Sequence, residues 1–218
     1  MDAVIGKLKA MEAYTDLVGA EIAALWKHGV ERVSDSELRA VLIYFLAEVA
    51  PWTFFVNPAS STGRNHPEWQ GGRAGIVRNT VECCVAVDRQ LQIYPDLTDN
   101  NAEAKPEARN IVLIATILSD TFKYGEAEIK EISSESKIDK NHGRIAAERW
   151  RAAARRYEIR QESVDEIYEA IYWHLGRFTP GWPPGKGMSL YAAITHRIDM
   201  FFSDKSLELL YDAKRVVP

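Results

Sequence analysis

Cysteine is scarce in this sequence: its 218 residues include two, and these are the neighbours Cys83 and Cys84. Adjacent cysteines rarely form a disulfide, because the small ring would strain the peptide between them. A disulfide-stapled fold is therefore not expected, and a reducing compartment is the simpler setting. A chain of this length buries roughly 70% of the surface that its unfolded state exposes, so it can form a core without such staples.

Long apolar runs and an excess of positive charge are also missing. A membrane span needs about 18 consecutive apolar residues, and no stretch approaches that length. The stretch MDAVIGKLKAMEAY alternates charged with apolar residues, whereas a signal peptide has an uninterrupted apolar block. We therefore expect a cytoplasmic protein without a membrane partner. Lys and Arg number 27 against 31 Asp and Glu, a net charge of −4, which argues against a sequence-independent grip on nucleic acid.

The alternation of apolar and polar residues that marks β-strands is nearly absent as well. Apolar residues instead recur at steps of three and four, which predicts an all-α fold. A first amphipathic helix is predicted at 2–26 and a second at 35–50, with Ser34 as its N-cap and Pro51 ending it. Further helices are predicted at 74–93, 106–124, 142–158 and 163–176, with a last helix capped by Ser189.

Two segments rich in proline and glycine interrupt these helices. Residues 51–72 predict a loop with buried aromatic anchors, and GRFTPGWPPGKG predicts a second loop before the last helix. A loop of about 20 residues is uncommon inside a compact domain and is more often functional than idle.

Four polar residues stand out by their place on the predicted helices. Asp120 ends the very apolar helix NIVLIATILSD, where a carboxylate must be paired, hydrogen-bonded or metal-bound. His142 opens the next helix, His174 lies near the end of another, and Asp199 is midway along the last. Because side chains of facing helices can converge inside a bundle, these residues predict a divalent metal site.

In the segments that contain these residues, the sequence resembles the HD-domain metal-dependent phosphohydrolases, particularly a branch common in phages and mobile elements. The resemblance covers about 57–203 and rests on segments that follow the family's order. These segments are NPASSTGRNHPEWQGG, GIVRNTVECC, ILSDTFKYG, KNHGRIAAERW, WHLGRFTPGW and THRIDMFFSD. The resemblance implies an HD-type helical bundle at 57–218, with an N-terminal helical extension at 1–56 packed against it.

The resemblance also implies six metal-ligand positions, four of which match the family: Asp120, His142, His174 and Asp199. The other two depart from it, because Asn79 stands where the family has its first histidine and Ser119 replaces the histidine of the His-Asp doublet. In the two-metal form of the family the doublet aspartate bridges the ions and the two later histidines hold the second ion. The resemblance therefore implies that the ligands of the second ion are retained in this sequence.

The two departures leave alternatives for that first position. Amide and hydroxyl oxygens are weaker ligands than imidazole for transition metals, but they suit harder ions such as Mg²⁺ or Ca²⁺. Alternatively, Asn79 and Ser119 are only buried polar residues that hydrogen-bond to a neighbouring helix.

Four cationic or ionisable residues complete the candidate site. Lys123 matches the family's lysine after the doublet, which meets phosphate or holds the carboxylate, and at i, i+3 it can reach Asp120. His66 and Arg177 lie in the two glycine-rich loops that would cover the pocket mouth, where either could neutralise a phosphate. Arg78, beside Asn79, is a further candidate for substrate binding.

Three functions follow from these residues. The first is a phosphohydrolase in which Asp120 and Lys123 act at one divalent ion (Mn, Mg, Ni, Fe or Zn) on a phosphorylated small molecule, in the first place a nucleotide. The second is an inactive pseudoenzyme that serves as a nucleotide-binding or protein-interaction module. The third is a hydrolase whose Asn79 and Ser119 line a hard-ion site.

Overall fold

The computed structural model describes residues 1–60, 66–125, 138–182 and 187–203. In these ranges the chain is all-helical, apart from one isolated β-bridge between Thr98 and Ala104. The all-α fold class predicted from the apolar periodicity is confirmed.

Nine α-helices are present in the described ranges. They are α1 (Asp2–Ala10), α2 (Asp16–His28), α3 (Ser36–Tyr44), α4 (Trp52–Val56), α5 (Gly75–Leu91), α6 (Pro106–Leu118), α7 (His142–Ala154), α8 (Gln161–Tyr172) and α9 (Leu190–Phe202). Short 3-10 turns at Val30–Arg32, Glu68–Gln70, Pro95–Leu97 and Gly176–Phe178 connect some of them.

The single helix predicted at 2–26 is wrong, because the chain breaks between α1 and α2. Glu12 adopts a left-handed conformation with φ of 54°, and the Thr15 hydroxyl accepts a hydrogen bond from the Val18 amide at the start of α2. A threonine followed by an aspartate is an N-cap signal. That signal outweighed the continuous apolar periodicity.

The helix predicted at 35–50 also needs correction. Asp35, not Ser34, is its N-cap, since the Asp35 carboxylate accepts from the Leu38 amide at 2.9 Å. Ser34 instead donates its backbone N–H to the Asn110 side-chain oxygen on α6. After Tyr44 the helix widens into one π-turn at Phe45–Val49 and ends before Pro51, as the proline predicts.

The first proline- and glycine-rich segment is not entirely loop. It contains α4, whose Phe54 and Phe55 are fully buried, and the 3-10 turn at Glu68–Gln70. The rest of this predicted loop includes residues 61–65, which lie outside the described residues.

The later helices begin close to the predicted positions, but three of them end earlier. α6 ends at Leu118 rather than 124, α7 at Ala154 rather than 158, and α8 at Tyr172 rather than 176. Tight turns follow α6 and α8, and the last helix is capped as predicted, with the Ser189 hydroxyl accepting from the Ala192 amide. Asp120 and His174 therefore lie in turns just past helix ends.

The helix α6 lies at the centre of the bundle and contacts α5, α8 and α9. Every residue from Asn110 to Leu118 is buried. One hydrophobic cluster includes Val4 and Leu8 of α1 together with Ile198 of α9. Residues of segment 1–56 and of segment 57–218 thus share one core, which fixes the positions of the helix ends around α6.

None of the helices in the described part of the chain has the length and apolar character of a membrane span.

Replacing Trp150 by alanine tests the packing of α7 on α8. Trp150 is fully buried and its indole N–H donates to the Val164 carbonyl, so we expect a loss of about 3–5 kcal/mol in unfolding free energy. Phe178, 57% exposed, is the control, and Phe178→Ala should change stability by less than about 0.5 kcal/mol. Equal losses in denaturant unfolding would contradict this packing.

Candidate metal centre

Three of the predicted ligands meet in the bundle interior. Asp120 lies in the turn after α6, His142 is the first residue of α7, and His174 lies in the turn after α8. One ligand atom from each lies within 4.8 Å of the others. Two helix ends and one helix start therefore bring a carboxylate and two imidazoles to one point.

The contacts within this group are short and shielded from solvent. His142 Nε2 lies 3.1 Å from His174 Nε2 and 3.2 Å from Asp120 Oδ1, and His174 Nε2 lies 3.8 Å from the same oxygen. The exposed fractions are 4% for Asp120, 2% for His142 and 0% for His174. The group is a buried centre rather than a chance cluster at the surface.

Backbone carbonyls fix the hydrogen positions on both histidines. His142 Nδ1 lies 2.5 Å from the Asp139 carbonyl oxygen, and His174 Nδ1 lies 2.8 Å from that of Ile171. A carbonyl can only accept, so each Nδ1 carries a hydrogen, and in the neutral form of either ring the lone pair is on Nε2, which faces the group. This is the ring orientation that metal-ligating histidines show.

The residues present therefore fit a divalent ion. Two lone pairs 3.1 Å apart beside a carboxylate oxygen repel one another unless an electron-poor centre lies between them. Two imidazoles and one carboxylate form a recognised donor set for transition metals. Asp120, His142 and His174 would hold such an ion.

Lys123 neutralises part of the charge of the centre. Its ammonium lies 2.7 Å from Asp120 Oδ2. Burial alone would raise the pKa of Asp120, but the positive charge of Lys123 is the largest opposing effect, and the pKa lies well below its usual range. The Asp120 carboxylate is thus an anion with one oxygen on Lys123 and the other facing the histidines.

His174 is neutral at physiological pH. Burial and the neighbouring His142 lower the pKa of His174 to about 3. The 3.8 Å contact with Asp120 is therefore not an ion pair, and the ring is in the form that binds metals.

A glycine that sequence reasoning missed makes room for this ring. A Cβ on Gly143, the second residue of α7, would lie 2.8 Å from His174 Cε1. The turn that carries His142 also touches the Lys123 backbone, since the Asp139 amide donates to the Lys123 carbonyl at 2.9 Å. The dipeptide His-Gly at the start of α7 was the available sequence signal.

Asp199 lies beside the three-residue group, at the wall of a small cavity. The cavity measures about 10 Å³, room for about one water molecule. Its lining consists of Asn79, Thr80, Cys83, Thr116, Ser119, Asp120, Thr195 and Asp199.

The lining has polar atoms without partners. The side-chain oxygens of Asn79, Thr116 and Thr195 are buried and have no hydrogen-bond partner among the described residues. Ser119 donates to the Thr116 carbonyl of its own helix. The Asn79 oxygen therefore makes no bond to a neighbouring helix, and the Ser119 hydroxyl donates within its own turn.

Two carboxylates share this interior with one lysine. Burial raises the pKa of Asp199 to about 7, and repulsion by Asp120 adds to the effect. The Ser203 hydroxyl donates a long hydrogen bond of 3.5 Å to Asp199 Oδ1. Asp199 can thus carry or release a proton near neutral pH beside the centre.

The other predicted site residues are distributed unevenly. His66 is buried, 5% exposed. Burial and the charge of Lys123 lower the pKa of His66, and the charge of Asp120 opposes them. Arg78 binds Glu21 at 2.9 Å and the Trp69 carbonyl, so it is not brought to the centre. Arg177 is exposed, with its guanidinium 5.1 Å from the ring centroid of its neighbour Phe178.

Comparison of the chain with protein-family models, with curated proteins and with solved structures finds no match.

Replacing Thr195 by valine tests the polar cavity. We expect one buried water there, bound by the partnerless oxygens, so Thr195→Val should lower the unfolding free energy by about 1–3 kcal/mol. Thr80→Val is the matched control in the same lining, because its hydroxyl already bonds to the Ile76 carbonyl, and it should lose less than about 1 kcal/mol. A Thr195→Val variant more stable than wild type would indicate a dry cavity.

The raised pKa of Asp199 predicts a pH effect on stability. The folded pKa, about 7, exceeds the ordinary value of 3.8, so the folded state keeps a proton that the unfolded state releases. Wild type should therefore lose stability relative to Asp199→Asn as pH rises from about 4 to 7. Urea unfolding with chelator at pH 5 and pH 8 measures this difference, and an unchanged difference between the two pH values would refute it.

Proposed function

We propose that this chain is a metal-dependent phosphohydrolase of the HD type, acting on a phosphorylated small molecule, with nucleotides as the first substrate class. The observation that carries the proposal is the pair of Nε2 lone pairs aimed at Asp120 in a buried site. The order of the sequence segments that resemble the HD phosphohydrolases supports the reaction class.

Asp120, His142 and His174 would hold the ion, for which Mn, Fe, Ni and Zn suit the two imidazoles better than Mg does. Three protein ligands leave positions open to water or substrate. When bound, such an ion supplies a Lewis acid that polarises a phosphoryl oxygen and lowers the pKa of water.

The chain's own residues have distinct parts in this proposal. Lys123 holds Asp120 in place and offers its ammonium to a phosphoryl oxygen. Asp199, with a pKa of about 7, accepts or returns a proton beside the reacting atoms. Burial of the group excludes bulk water, which strengthens each of these electrostatic interactions.

A second candidate, a non-catalytic binding or interaction module, is favoured by the size of the cavities. The cavity that touches Asp120 measures about 10 Å³, whereas small-molecule pockets measure about 300–1,000 Å³. A groove of about 540 Å³ lies at the starts of α3, α6 and α8, away from the centre. In this alternative the bundle is retained for its shape.

Metal content separates the two candidates. Protein purified without chelator should contain a transition metal at near-stoichiometric level by elemental analysis, and His174→Ala should lose most of it because one of three ligands is gone. His28→Ala, a histidine outside the group, is the control and should keep the metal. Circular dichroism checks that each variant is folded.

Turnover is then measured with nucleotides and a generic phosphodiester in Mn²⁺, Mg²⁺ and Ni²⁺. We expect hydrolysis that Asp120→Asn abolishes. Substoichiometric metal together with no turnover in the presence of any of these ions would contradict the hydrolase proposal and would favour the non-catalytic binding module.

A further inference from the structure

A chain of side-chain hydrogen bonds leads from α5 to His66. The Glu82 carboxylate accepts from Trp69 Nε1 at 2.8 Å and from Gln70 Nε2 at 2.6 Å. Gln70 Oε1 lies 2.8 Å from His66 Nδ1. Neither the metal-ligand spacing nor the proposed mechanism uses Gln70 or Glu82.

The orientation of the Gln70 amide is determined by its partners. Gln70 Nε2 lies next to two acceptors, the Glu82 carboxylate and the Phe202 carbonyl oxygen at 3.2 Å. A backbone carbonyl cannot donate, so the NH₂ group must face these two oxygens. The amide oxygen of Gln70 must therefore face His66.

This orientation sets the tautomer of His66. Facing an amide oxygen, Nδ1 of His66 has to donate, so its hydrogen is on Nδ1 and the lone pair is on Nε2. The ring is also neutral, because burial and the Lys123 charge lower the pKa of His66 to about 4. His66 thus offers an acceptor, not the cation expected from its place in a phosphate-facing loop.

The segment that carries Gln70 is held tightly against the start of α5. The Gln70 carbonyl accepts from the Ala59 amide at 3.0 Å, and a Cβ on Gly75 would lie 1.9 Å from that carbonyl oxygen. Only glycine allows this approach, so the backbone of Gln70 is fixed relative to the start of α5.

We propose that Glu82 and Gln70 are positioning residues that hold His66 with Nε2 as a hydrogen-bond acceptor in the neighbourhood of the Asp120–Lys123 pair. A lone pair there repels phosphate oxygens and selects a donor, namely a water molecule or a hydroxyl group of the ligand. A ring with so low a pKa holds a proton too weakly to act as general base at neutral pH, so it orients the donor. The use of that donor in hydrolysis rests on the proposed function, whereas the tautomer does not.

Long-range ¹H–¹⁵N correlation spectra of histidine-labelled, metal-free protein test the tautomer without any activity. We expect His66 as neutral Nδ1–H at pH 7, and Gln70→Met should abolish this preference because the amide oxygen is gone. Trp69→Phe is the matched control: it removes one bond to Glu82 but leaves the Gln70 side chain's bonds to Glu82, Phe202 and His66, so the tautomer should persist. An Nε2–H or doubly protonated His66 in wild type, or an unchanged tautomer in Gln70→Met, overturns the proposal.

Substitutions of His66 distinguish a hydrogen-bond acceptor at this position from a positive charge, with hydrolysis as the measurement. His66→Gln keeps an acceptor and should retain more kcat than His66→Lys, which we expect to fall about 10- to 100-fold, the range for groups that orient a metal centre. Higher activity of His66→Lys would show that a positive charge is needed and would overturn the acceptor role. Absence of wild-type turnover would retire the proposed hydrolysis and the orienting role with it, while the spectra still decide the tautomer.

Discussion

The two hydrogen bonds from imidazole Nδ1 atoms to backbone carbonyls are the constraint on which the candidate site depends. They oblige His142 and His174 to aim their Nε2 lone pairs at the same space, beside Asp120. Without them the rings could turn their N–H groups inward and the group would be an ordinary polar cluster. The Asp139 carbonyl lies just before α7 and the Ile171 carbonyl lies in the last turn of α8, so the backbone at two helix ends orients both rings.

The all-α class could be predicted from the sequence because apolar periodicity reports which face of a helix is buried. Helix ends were harder, since caps and turns compete with that periodicity over one or two residues. The break before Thr15 and the early end of α6 at Leu118 both follow from such local competition. The early end of α6 matters most, because it places Asp120 and Lys123 in a turn where one carboxylate can face both the lysine and the histidines.

The meeting of Asp120, His142 and His174 was predictable from their helix positions and from the resemblance to the HD phosphohydrolases. Asp199 was expected in the same group but lies at the adjacent cavity. What the sequence could not supply is the set of contacts between distant segments. The Gln70 contact with the Phe202 carbonyl joins residues 132 apart, and the fit of Gly143 against His174 is visible only once the helices pack. Local patterns therefore predict which residues gather, whereas protonation and orientation require the packed fold.

Anomalous diffraction from crystals grown with Mn²⁺, recorded above and below the manganese absorption edge, tests whether these three side chains bind an ion. We expect one strong peak within bonding distance of the Asp120 carboxylate and the Nε2 atoms of His142 and His174. A map with no peak at this point, or coordination through either Nδ1 atom, would contradict it.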